Sequence, residues 1–80
     1  RAQFVGGTRE HALGFVQPTP RGHAAVLVNP ARDDAWFDLP GGPWRLHFGA
    51  DMGHIVPTAA GVSVRVRAQG GCVLVSGLDA

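Results

Sequence analysis

Glycine and proline interrupt this chain too often for a long helix to form. Breaks fall at Gly6-Gly7, at Pro18 and Pro20, at Pro30, across Pro40-Gly41-Gly42-Pro43 and at Gly70-Gly71. Proline lacks a backbone donor and fixes φ, and glycine is costly to order, so each cluster ends the element before it. Between breaks, apolar residues recur at period two or in short runs, the pattern of an antiparallel sandwich or barrel.

The spacing predicts strands over "HALGFVQ" (His11 to Gln17, with Leu13 and Phe15 on one face), "HAAVLVN" (His23 to Asn29), "AWFDL" (Ala35 to Leu39) and "WRLHFG" from Trp44. After an irregular stretch from Ala50 to Ala60 come "GVSVRVRA" and "GCVLVS", joined by "QGG". The glycines of Pro40-Gly41-Gly42-Pro43 permit positive φ and the prolines stop a ladder, so this turn reads as a hairpin. The predicted fold is all-β, an antiparallel sandwich of about six to eight short strands, Greek-key type, built largely from local pairings.

At 80 residues the chain makes one domain, with a small core. Its seven positive charges are all arginines, spread from Arg1 to Arg67; without a basic cluster, no nucleic-acid partner is expected. No apolar run approaches the ~18 residues of a membrane-spanning helix, so no membrane partner is expected either. The single cysteine, Cys72, cannot form an internal disulfide, and a cytoplasmic location is the default expectation. The chain begins with Arg rather than Met, as expected of a piece excised from a longer protein.

The strands differ in pattern. In "VSVRVR", Val62, Val64 and Val66 point one way and Ser63, Arg65 and Arg67 the other, giving a dry face and a wet one. "AAVLV" (Ala24 to Val28) and "CVLV" (Cys72 to Val75) are continuous apolar runs, the mark of strands covered on both sides. A free sandwich of this size has little with which to cover its outer faces, so another domain or subunit is expected to do so. The alternative leaves Ala25 and Val73 exposed as single apolar residues.

Catalytic and metal patterns fail one by one. No close Cys or His pair announces a zinc site; Asp51 and His54 in "DMGH" come nearest, but structural sites want four ligands, and no metal or other cofactor is expected. His47 alternates outward with Arg45. Ser76 precedes Gly77, but Leu74 stands where a nucleophile elbow needs glycine. Cys72 opens a buried-looking strand, where a thiol behaves as a small hydrophobe with a raised pKa. Asp33 and Asp34 are adjacent in a turn, not set across a scissile bond. The glycine pairs lack the phosphate-binding fingerprint. No catalytic residue emerges.

Both tryptophans lie close together. In "WRLHF", Trp44 shares its side with Leu46 and Phe48, so it is assigned to the core. In "AWFDL", Phe37 and Leu39 form the apolar side, which places Trp36 and Asp38 outside. These two are the candidate residues for carbohydrate or interdomain contact.

The order "VLVN", a short acidic turn, "AWFDLP", "WRLHFGAD", a "GVSVRV" strand, a turn and "CVLVS" resembles the C-terminal β-domain of the α-amylase family, glycoside hydrolase family 13, with glycogen-debranching and isoamylase-type enzymes nearest. The resemblance runs from about Leu13 to Ser76. It implies a non-catalytic accessory domain that stabilises a (β/α)8 barrel of the same parent chain, where the family's catalytic carboxylates lie. The matching positions are structural: Asn29 ends a strand, Phe37 and Leu39 pack inward, Pro40 begins the turn, and Trp44 and Leu46 enter the core. Trp36 departs from the small or polar residue usual there, and the final strand lacks the family's simple "VVLxR" ending. The expected partners are that barrel and, as a candidate ligand, α-glucan, with self-association through apolar strands in isolation. Two alternatives stay open: a free carbohydrate-binding module using Trp36, and a sandwich that serves protein interaction.

Overall fold

The computed structural model describes residues 2–77 and contains strands only. In chain order they are β1 (Gln3–Gly6), β2 (Leu13–Thr19), β3 (Gly22–Asn29), β4 (Ala35–Pro40), β5 (Trp44–Phe48), β6 (Gly53–Pro57), β7 (Gly61–Val66) and β8 (Gly70–Gly77). They form two antiparallel sheets, one of five strands in the order β1-β2-β3-β8-β5 and one of three in the order β4-β7-β6. The expected all-β sandwich is what folds.

Period-two alternation builds the core. Ala35, Phe37 and Leu39 of β4 and Val62, Val64 and Val66 of β7 turn inward and are buried. They meet Ala25 and Leu27 of β3, Cys72 and Leu74 of β8, and Trp44 of β5. Gly14 of β2 faces the same layer, and a Cβ there would press on Val26 O and come within 2.6 Å of Leu27 Cδ2. Only glycine lets β2 and β3 pair with Leu27 seated so closely.

Pairing is less local than the sequence predicts. β1-β2, β2-β3 and β6-β7 are consecutive pairs, but β3 pairs with β8, β5 with β8, and β4 with β7. Pro40-Gly41-Gly42-Pro43 is therefore not a hairpin but an arch that carries the chain from one sheet to the other. Neither Pro40 nor Pro43 has an N–H to bond across the turn, while Gly41 and Gly42 take φ of 72° and 111°. The Trp44 indole Nε1 closes the arch by donating to Pro40 O at 3.1 Å. The link between β7 and β8 is Arg67 to Gln69, since Gly70 and Gly71 already belong to β8, and it too crosses between sheets, because both edges of β7 are occupied by β4 and β6.

Two strands also depart from expectation. The stretch expected to be irregular contains β6, whose Ile55 packs on the core while His54 and Val56 face out. In β5 a bulge intervenes: Leu46 pairs with Leu74, yet Phe48, two residues on, pairs with Val73, the very next position of β8. One extra residue reverses the facing of all that follows. Phe48 accordingly leaves the side it was expected to share with Trp44 and Leu46 and stands 72% exposed.

Candidate functional site

The outer face of the five-stranded sheet is where apolar side chains collect. Phe4 of β1 lies opposite Phe15 of β2, Phe15 opposite Val26 of β3, Val26 opposite Val73 of β8, and Val73 opposite Phe48 of β5. This is one cross-strand row spanning the whole sheet. Phe15, Val26 and Val73 in its middle are half-buried by their neighbours, whereas Phe4 at one end is 81% exposed. A second row adds Leu13 and Val28, 59% and 50% exposed. A third, Gln17, Ala24, Val75 and Arg45, becomes polar at both ends.

Two open grooves flank Val28. One, of about 310 Å³, lies among Phe4, His11, Leu13, Phe15 and Val26. The other, of about 870 Å³, is walled by Phe48, Asp51 and Met52 over Gly70 and Gly71. Apolar residues inside, with Gln17, Arg45, His11 and Asp51 around them, reproduce the plan of an interaction surface: dry centre, polar rim. The continuous runs "AAVLV" and "CVLV" are explained by this face. Ala25, Leu27, Cys72 and Leu74 fill the core, while Val26, Val28 and Val73 point out. Of the two residues set out as exposed in the alternative, Ala25 is fully buried and Val73 is half-buried.

Trp36 and Asp38 are on the outer face of the other sheet, as alternation predicts. Trp36 is 36% exposed and lies opposite Arg65, with Asp38 opposite Ser63. They share a face with each other and not with the apolar row. Sequence reasoning missed Phe4 and Phe48 as surface groups. The short run "QFVG" and the glycine directly after Phe48 were the signals available.

The reactive groups have structural surroundings. Cys72 is buried, and loss of solvation pushes its thiol from 9.0 up to about 11, which leaves it protonated and inert. Asp34 Oδ1 accepts from Ala68 N at 3.0 Å, and the main-chain oxygen of Asp33 accepts from Asn29 Nδ2 at 2.8 Å, so the adjacent acids serve a turn. Among the described residues no group of three or more His, Cys, Asp or Glu side chains could hold a metal ion. Asp51 lines the larger groove and His54 lies on the outer face of β6, opposite Arg65.

Asn29 is the best-placed polar residue inside. Completely buried, its amide donates to Asp33 O, Val66 O and Arg67 O at 2.8, 3.1 and 3.2 Å, and its Oδ1 accepts from Ala31 N at 3.1 Å. It ties the end of β3 to the end of β7, one sheet to the other. No protein-family model, curated protein or solved structure matches the chain.

Proposed function

We propose that this chain is a non-catalytic accessory β-domain of an α-glucan-acting glycoside hydrolase, glycogen-debranching or amylase-like, that docks on the catalytic barrel of the same parent chain through its five-stranded sheet. The observation that carries docking is the cross-strand row Phe4, Phe15, Val26, Val73 and Phe48, which runs through all five strands of one outer face. Covering a phenylalanine fully is worth about 1.5–3 kcal/mol, so the two exposed ends of this row reward any partner that seats on them. The choice of partner rests on the strand order and the "VLVN", "AWFDLP" and "WRLHFG" segments, which resemble the C-terminal domain of the α-amylase family. Burial of Cys72 and the turn roles of Asp33 and Asp34 support an accessory rather than a catalytic part.

Isolated, such a domain has an uncovered face. The chain is expected to bind a hydrophobic dye and to self-associate with rising concentration in sedimentation. Phe4→Ser with Phe48→Ser should suppress both while leaving the circular dichroism unchanged. A wild-type chain that stays monomeric and binds no dye defeats docking. The identity of the partner is tested separately by the sequence encoded ahead of Arg1: a (β/α)8 barrel with paired carboxylate motifs supports it, and any other neighbouring domain overturns it in favour of a general interaction module.

A further inference from the structure

The outer face of the three-stranded sheet carries different chemistry. Trp36, Arg65 and His54 form one row across β4, β7 and β6, and Asp38 and Ser63 begin the next. Same-face neighbours along a strand are about 6.5–7 Å apart, which sets Asp38 beside the indole. Toward the other end of β4, Asp34 Oδ2 lies 3.9 Å from Arg65 Nε, a loose, exposed pair that keeps hydrogen-bonding capacity for a third group. The ring's anchor is fixed. Trp36 N donates to Thr8 Oγ1 and Thr8 N donates to Trp36 O, both at 3.0 Å, clamping the edge strand at the residue that bears the indole.

We propose that this row binds pyranose units of a neutral oligosaccharide, with the ring face of one sugar stacked on Trp36. A sugar offers an apolar C–H face and a rim of hydroxyls. An indole flanked by a carboxylate on one side and a guanidinium–carboxylate pair on the other meets both needs. Charge argues for a neutral ligand, because Asp34 and Asp38 lie beside Arg65 instead of building a field of one sign. The face lies on the opposite side of the sandwich from the apolar row, so sugar and docking partner can be held together. Only the choice of an α-1,4-linked probe rests on the function proposed above.

The test is a titration of the 15N-labelled chain with maltoheptaose, and with cellohexaose in parallel, followed by NMR. The two indole N–H signals serve as probe and control, since Trp44 Nε1 is bonded to Pro40 O inside the arch. The Trp36 indole and Arg65 Nε should shift with a midpoint on the order of 1 mM while the Trp44 indole stays still. Trp36→Ala should weaken binding at least about tenfold, Asp38→Asn about threefold, and Trp36→Phe should retain part of it. Phe4→Ser with Phe48→Ser should leave the titration unchanged, which separates this site from the docking face. Shifts with either sugar support the site, and preference for maltoheptaose assigns the α-linkage. The proposal is overturned if neither sugar moves the Trp36 indole by about 10 mM, a concentration well above the expected midpoint. It is equally overturned if a folded Trp36→Ala binds as wild type, or if the shifts centre on Phe48.

Discussion

Removing the Asn29 amide tests the idea that one buried side chain holds the two sheets in register. In Asn29→Ala three carbonyls (Asp33, Val66 and Arg67) lose a donor, and the Ala31 N–H loses its acceptor. A net of about 0.5–1.5 kcal/mol for each bond, reduced because the two amide hydrogens must be shared among three acceptors, gives about 2–4 kcal/mol. A domain of this length is stable by only about 4–12 kcal/mol in total, so the loss is a large fraction. The expected fall in melting temperature is roughly 10–25 °C. Urea unfolding followed by circular dichroism and by Trp fluorescence gives the free energy directly. Asn29→Asp makes the test sharper. It keeps the shape but replaces the donor with an ionised acceptor facing three carbonyl oxygens, so it should cost at least as much as alanine at neutral pH. It should recover part of the loss as pH falls toward about 4, where a protonated carboxyl again donates. A cost below about 1 kcal/mol for alanine, or an aspartate variant as stable as wild type at pH 7, refutes the bonding role.

Two other perturbations have outcomes fixed by the geometry. Cys72 binds its proton more tightly folded, at about 11, than at its ordinary value of 9.0; the unfolded chain therefore ionises first, and stability, fully present below pH 9, falls as pH rises toward 11. Denaturation at a series of alkaline pH values should show a slope that Cys72→Val lacks, and the native thiol should resist a disulfide reagent until the chain unfolds. Gly14→Ala drives a methyl into Val26 O and to within 2.6 Å of Leu27 Cδ2, so it should cost about 1–3 kcal/mol or more by overpacking; a neutral alanine would show that the β2-β3 pairing has slack.

What could be read in the sequence was whatever alternation decides within a single strand. The facing of Trp36, Asp38, Phe37, Leu39, Trp44 and the three valines of "VSVRV" follows from period two alone, and the structure agrees. What could not be read depends on a partner strand. Phe48 is turned out because β5 carries one residue more than β8 can match, a property of the pair. Whether Pro40 to Pro43 folds back as a hairpin or crosses as an arch is settled by β7 and β8, the strands with which β4 and β5 pair. β6 escaped notice since its five residues, bounded by Gly53 and Pro57, hold a single inward apolar group, Ile55. The need for a cover was legible in "AAVLV" and "CVLV". Its centre was not, because Phe4 sits on a four-residue strand and Phe48 beyond a bulge.

The distribution of exposed apolar groups distinguishes a surface from an accident. Every folded protein leaves some apolar side chains in water, and where shortage of polar residues is the cause they stand singly among polar neighbours. Here Phe4, Leu13, Val28 and Phe48 all belong to the five-stranded sheet, where backbone pairing lines Phe4 and Phe48 up with Phe15, Val26 and Val73. On the three-stranded sheet the exposed large apolar residues are Trp36 and Val56, set among Asp38, Ser63, Arg65 and His54. The same alternation that fills one shared core thus gives the two outer faces opposite characters. A dry, continuous face suits an extended protein partner, and an isolated indole among hydrogen-bonding groups suits a small polar ligand with one apolar side. Because the two faces look in opposite directions, substitutions on either should change one kind of binding and spare the other.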